Sequence, residues 1–370
     1  MNLNKLLSVV FVTFSRDEAA VRFVSSLRKF YPDLPVLVAD QNGPTEGMKR
    51  FYHQNKVSVL WLPSDCGLSF ARNRAFEQVQ TPYVLLADDD FIISQMTNLQ
   101  SAVEILEQDR RIGFLGGRLI DIRTASDGAK VRYLRRWEKY LFLVEQLKTL
   151  ISVPIDYLPL QSKRIAGHEI FLCDMTLNWG LMRRAVFSNT IRWDERIKIN
   201  GEHEDFFLSL KHHSAWKVAF FPDLVCEHEQ PHVAAYHKFR RRLAGREILA
   251  EKWGLEHHLE IGVGLRSFSQ YLAFDRVPIP HEKLNSIDGE PGLPVAPEPI
   301  SSKNHQEQTE LHQKVDPNPE ILALRREVVS LRESLSAKTS SEEALRQSWS
   351  WKFTSPLRFL ANALTLKRSE

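Results

Sequence analysis

Three aspartates in a row, Asp88, Asp89 and Asp90, follow the uncharged run Tyr83–Ala87 and lead straight into Phe91–Ile93. One such acid would serve as a helix cap or favour a helix dipole, but three crowd a single site. A divalent cation offers a different use. Mg²⁺ or Mn²⁺ takes oxygen ligands, keeps several waters, and binds one or two carboxylates together with substrate phosphates. Other polar residues also stand where apolar runs stop. Asp40 ends "PVLVAD", His228 ends "VAFFPDLVCEH", and Glu202, Glu204 and Asp205 open the helical pattern "GEHEDFFLSLKHH".

The elements that must hold these residues are legible from periodicity. Residues 6–14 form a continuous apolar run that predicts a central strand, and 35–40, 57–63, 83–87 and 112–121 predict further strands. Residues 17–30 and 69–79 have helical spacing between them. Alternating strands and helices imply an α/β fold with a mainly parallel sheet covered on both faces. Ligands of such sheets sit at the carboxyl ends of the strands, where Asp40 and the three aspartates fall. Residues 130–165 are basic and aromatic without a clean period. Order returns at 173 with a segment leading to the acidic helix, a strand over 216–229 and a closing helix over 237–254 stopped by Gly254.

The chain has 370 residues, 43% of them hydrophobic, and 49 basic residues against 46 acidic, for a net charge of +3. That balance argues against nucleic acid as a partner. Cys66, Cys173 and Cys226 lie far apart without zinc spacing, which fits a reducing compartment. The N-terminal apolar run is short and is interrupted by Arg16-Asp17-Glu18, so it reads as a buried first strand rather than a signal peptide. Eight of the 18 prolines lie between Pro278 and Pro319. The predicted organisation is a catalytic domain over 1–275, a disordered linker over 276–318, and a tail over 319–370. Ile321, Leu324, Val328, Leu331 and Leu335 form a short coiled-coil seam suited to homo-oligomers. From Arg346 onward, five basic residues against one acidic, mixed with aromatics, suit a membrane surface or a partner helix.

The stretch before the acidic strand, "DCGLSFARNRAFEQVQTPYVLLADDDF", makes the sequence resemble the nucleotide-sugar glycosyltransferases of the GT-A fold. It is similar in particular to the N-acetylgalactosaminyltransferases of ganglioside synthesis. The likeness is carried in order by Gly67-Leu68-Ser69, Arg72-Asn73, Tyr83-Val84-Leu85, Asp88–Phe91, Gly116-Gly117, Asp174, Asn178, His203, Phe206-Phe207-Leu208 and His228. The pair Glu204-Asp205 departs from that group and looks more like bacterial family-2 glycosyltransferases, and the membrane anchor of the ganglioside enzymes is not read in the chain.

The resemblance implies Mn²⁺ or Mg²⁺ on the donor diphosphate, held by Asp90 with Asp88 and His228. Asp89 assists, and Asp88 or Asp40 reaches ribose or base. Asp40 also reads as a plain strand-end turn, and Arg72 as a nucleotide contact or a solvated helix arginine. Asp205 is the expected general base, with Glu204 as its alternative. Asp174, Asn178 and Trp179 would line the acceptor side, although Trp179 could equally fill the core. The expected activity is inverting transfer of a sugar from a nucleotide-sugar donor, with UDP as nucleotide, to a glycan or lipid-linked acceptor in bacterial surface polysaccharide synthesis. The expected location is cytoplasmic or peripheral at the inner membrane face. The competing readings are an inactive carbohydrate-binding or scaffold protein of the same fold and a nucleotidyltransferase. The latter usually carries a glycine-rich loop after the first strand, and "VTFSRDEAA" is not one.

Overall fold

The computed structural model of the chain describes residues 2–124, 129–135, 137–230, 244–261 and 264–267. The chain divides into residues 1–288 and 289–370, and every described residue lies in the first unit. The expected linker, coiled coil and basic tail lie outside the described residues.

After the short helix α1 (Leu3–Leu6), four strands form one half of the main sheet. They are β1 (Leu7–Thr13), β2 (Val36–Asp40), β3 (Val57–Trp61) and β4 (Tyr83–Asp88), all parallel in the order β3-β2-β1-β4. The connecting helices are α2 (Asp17–Phe30), α3 (Glu46–Gln54) and α4 (Leu68–Gln78). Alternate side chains of β1 enter different cores. Val9 and Phe11 pack with Phe23 and Leu85, while Val10 and Val12 pack with Ala71, Phe76 and Val84. A strand buried on both faces is what the unbroken apolar run required.

The second half departs from a simple parallel sheet. Beyond β4 come β5 (Phe91–Ile92), α5 (Leu99–Gln108), β6 (Ile112–Thr124) and β7 (Lys130–Arg135). β6 does not lie beside β4. The later strand β12 (Gly180–Arg183) is inserted between them, antiparallel to both. The outer strands are β10 (Ser162–Ile165), β11 (His168–Cys173) and β13 (Lys217–His228), giving β10-β11-β13-β6-β12-β4-β1-β2-β3. The sheet is therefore mixed.

Four further strands, β8 (Lys139–Val144), β9 (Thr149–Pro154), β14 (His257–Glu260) and β15 (Gly264–Ser267), make a second sheet. They account for much of the stretch that has no clean period. Short hairpin strands broken by single 3₁₀ turns at Glu145–Leu147 and Ile155–Tyr157 leave Phe142 and Tyr157 exposed. Two further helices lie among the described residues: α6 (Glu202–His213) and α7 (Ala244–Trp253), the latter followed by Gly254 at φ +62°, the left-handed conformation of a helix stop.

At the centre, Gly117 of β6 donates its N–H to the Trp179 carbonyl at 2.8 Å. A Cβ there would sit 2.2 Å from the Leu224 carbonyl oxygen and 2.6 Å from the Trp179 ring. Gly117→Ala is expected to lower the melting temperature, with a loss of about 1–3 kcal/mol from overpacking, because backbone and a buried indole cannot yield cheaply. Thermal unfolding of the variant checks this, and an unchanged melting temperature would contradict the close approach.

Candidate active site

The carboxyl ends of β1 and β4 put the acidic triplet against β1 and the start of α2. Asp89 points inward. It is fully buried, accepts from the Thr13 hydroxyl at 2.8 Å and pairs with Arg16. Burial pushes its carboxyl up to about 7, with Arg16 opposing and the Asp90 charge adding to the rise. Asp90 accepts from Arg16 at 2.7 Å. Asp88 alone is partly open to solvent, its side chain 27% exposed, and it is paired at 3.0 Å with the fully buried Arg72.

His228 reaches this edge by an irregularity in β13. The pairing of β13 with β6 jumps between Phe221 and Val225, so three residues bulge out. The strand then resumes with His228 beside Asp121 on one side and Phe91 on the other. His228 Nδ1 lies 2.6 Å from Asp121, which also accepts from Arg135 at 2.6 Å, and Nε2 lies 3.4 Å from Asp90. Burial works against the charged imidazole, but Asp90 and Asp121 outweigh it and raise its pKa. Burial likewise raises Asp121, yet His228 and Arg135 bring it below the usual carboxylate range. A carboxylate on Nδ1 orients the ring and leaves Nε2 for a ligand, the usual support of a metal-binding histidine.

A second chain of contacts leads from Asp88 to α6. The Asn178 amide lies 2.9 Å from His203, and in the orientation that satisfies both groups its oxygen accepts from Arg72. His203 lies 3.4 Å from Glu202 Oε1. Burial lowers the His203 pKa, opposed by the Glu202 charge. Glu202 is 4% exposed, and its Oε2 is buried without a hydrogen-bond partner. An unpaired buried carboxylate oxygen is costly and is most useful where a ligand hydroxyl completes it.

Several expected site residues turn elsewhere. Asp205 is fully buried and accepts from Lys252 and Trp253 of α7, so it faces that helix, not the acidic edge. Glu204 is paired at 3.0 Å with buried Arg246, and this charge holds its carboxyl at about 2 although burial opposes it. Both acids anchor α6 to α7. Asp40 is fully buried and closes its own turn, accepting from Asn42 N at 2.8 Å and the Tyr52 hydroxyl at 2.9 Å. Asp174 accepts from Leu141 N and from Lys211 in the last turn of α6, at the end of that helix opposite Glu202. Trp179 fills the core, its indole donating to Leu224 O at 2.9 Å and its ring edge-on to Phe91. Arg72 is a buried partner of Asp88, not a solvated side chain. Asp90 and His228 thus share one set of contacts, and Asp88, Arg72 and Asn178 share another, the two meeting along the backbone of the acidic triplet. Arg16, Asp121 and Glu202 complete the arrangement. Asp121 had a readable signal as one more acid closing a predicted strand, whereas nothing in the spacing marked Arg16.

Among the described residues, no group of three or more His, Cys, Asp or Glu is gathered to hold a metal ion. Asp90 and the oriented His228 fit as a pair, a set that suits a cation whose other positions go to phosphate oxygens and water.

Residues 8–159 match the family model "Glycosyl transferase family 2". This segment is similar to glycosyl transferase family 2 domains. It contains β1–β4, Arg16, Arg72, the acidic triplet and Asp121, while Asn178, Glu202 and His228 lie beyond the matched residues. Human beta-1,4 N-acetylgalactosaminyltransferase 1 is 32% identical over 121 residues, covering 33% of this chain and 22% of that protein. The chain thus spans about a fifth of the length of this curated relative. A crystal structure of GalNAc-T7 with UDP, GalNAc and Mn²⁺ aligns with TM-score 0.45 and 15% identity, covering 62% of this chain and 45% of the other. The structure of S. aureus TarS 1–349 in complex with UDP aligns with TM-score 0.43 and 18% identity, covering 67% and 65%.

Beside the family-2 segment, Glu204, Arg246 and His258 tie stability to pH. Glu204 is depressed from 4.5 to about 2, so its contribution is whole above 4.5 and is lost as pH falls toward 2. Burial holds His258 down at about 4 from 6.5, so the unfolded chain takes that proton first, and stability is lost as pH falls from 6.5 to 4. Urea unfolding across this range should show both losses. Comparison with Glu204→Gln isolates the lower one, and His258 should remain neutral by NMR until about pH 4.

Proposed function

We propose that the chain is a metal-dependent, inverting glycosyltransferase that takes a hexose or N-acetylhexosamine from a UDP-sugar. Its acceptor would be a glycan or lipid-linked saccharide in bacterial surface polysaccharide synthesis. Activity of this class fits the family-2 segment and the N-acetylgalactosaminyltransferase relative. The observation that carries the reading is one linked set of contacts. It runs from the Asp88–Asp90 edge, with its oriented His228, through Arg72, Asn178 and His203 to the unpaired oxygen of Glu202.

Mn²⁺ or Mg²⁺, held by Asp90 and His228, would neutralise charge on the departing diphosphate. Asp88, steadied by Arg72, faces the donor. Glu202 Oε2 receives the proton of the acceptor hydroxyl as its oxygen bonds to the anomeric carbon, and the bond from that carbon to the diphosphate breaks with inversion. Glu202 replaces Asp205 and Glu204 as the base because their carboxylates are already committed to α7. Asn178 and His203 hold the acceptor side. Residence in the cytoplasm, peripheral at the membrane, belongs to the same proposal. No helix among the described residues is long and apolar enough to span a bilayer.

A panel of UDP-sugars assayed for Mn²⁺-dependent hydrolysis and transfer tests the activity, and no turnover with any donor would count against it. Glu202→Gln is expected to lower turnover by about 10²–10⁴-fold with UDP affinity unchanged, the usual effect of losing a general base. Asp205→Asn should chiefly reduce stability. The reverse pattern, with turnover lost in Asp205→Asn and kept in Glu202→Gln, would return the role to Asp205.

A further inference from the structure

The acidic edge is already supplied with positive charge. Asp88 is paired with Arg72, Asp89 and Asp90 with Arg16, and Asp121 with Arg135, while the more exposed Arg123 stands 4.0 Å from Asp121. Three close guanidiniums therefore face four carboxylates before any charge on His228 is counted. Arg16 holds the central place. It lies just ahead of α2, after Ser15 at φ +55°, and its side chain is 7% exposed. It spans both neighbouring carboxylates and donates to the same Asp90 oxygen that faces His228 Nε2. A guanidinium is always charged, and its fork suits two adjacent carboxylates.

We propose that Arg16 is the resident counter-ion of this edge. It holds Asp89 and Asp90 while the donor is absent, and yields Asp90 to a divalent cation only when a nucleotide diphosphate adds negative charge. The inference rests on the glycosyltransferase reading and extends it to binding order. A cation arriving alone meets an edge close to charge balance and must displace a buried ion pair. A cation arriving with the diphosphate does not bring that excess of positive charge. Cation and nucleotide therefore strengthen each other's binding by the same factor. Arg16 sets that factor.

The test is Mn²⁺ titration followed by the EPR signal of free Mn²⁺, with and without UDP, for the full chain, Arg16→Gln and Arg16→Lys. The unaltered protein should bind Mn²⁺ weakly alone and much more tightly with UDP. Arg16→Gln should bind Mn²⁺ alone about tenfold or more tightly than the unaltered protein, since a fixed positive charge beside the dication is gone. Its gain from UDP should shrink, and Arg16→Lys should stay close to the unaltered protein. Mn²⁺ affinity unchanged or weakened in Arg16→Gln overturns the proposal and leaves Arg16 as a brace. If Arg16→Gln gains Mn²⁺ affinity but UDP has no effect on any form, the counter-ion role stands and the donor reading falls. Should Arg16→Gln fail to fold without metal, recovery of folded protein by Mn²⁺ supports the proposal and lack of recovery overturns it.

Discussion

Adjacent carboxylates at the end of a buried strand repel one another and lose their water, and much of the surrounding structure answers that cost. Arg16 and Thr13 come from the end of β1 and the turn after it, Arg72 from α4, and His228 from β13. Behind His228 stand Asp121 of β6 and Arg135 of β7. Six elements thus converge on a row of three aspartates. Each supplies a charge or a hydrogen bond that has little reason to be buried otherwise.

The first half of the fold was legible because its strands are largely apolar runs, two of them, β2 and β4, ended by an aspartate. β1 to β4 fall close to the boundaries that periodicity predicts, and Asp88–Asp90 sit at the expected strand end. The insertion of β12 between β4 and β6 was not legible. Its four residues, Gly180–Arg183, carry no signal of which neighbours they pair with, and the sheet order depends on contacts about 65 to 100 positions apart. The second sheet was hidden for a different reason. Its strands lie in short hairpins with mixed exposure, so neither a helical nor an alternating pattern survives.

The acidic helix shows how types can be read while roles are not. Glu202, Glu204 and Asp205 occupy one turn, and spacing alone favours none of them. Burial and partners separate them: α7 supplies Arg246 to Glu204 and Lys252 with Trp253 to Asp205, leaving Glu202 turned to His203. That division depends on a helix some forty residues further along. Likewise, Arg16 was visible only as a charge that interrupts an apolar run. Its place over two carboxylates depends on the left-handed turn at Ser15.

The inserted strand β12 also sets an order of events in folding. β1 to β4 can pair among themselves by local crossovers, but the β6 side of β4 stays an open edge until residues 180–183 arrive. His228 comes later still, at the end of β13. The first half of the domain can therefore take shape during synthesis well before the chain has emitted the residues that complete the candidate site. Contacts of such long sequence separation form slowly, because loop closure must precede their reward. An open strand edge in the interval is a place for wrong pairing. Competence would then trail compaction, and a nascent chain that already looks folded around β1–β4 would still lack its histidine.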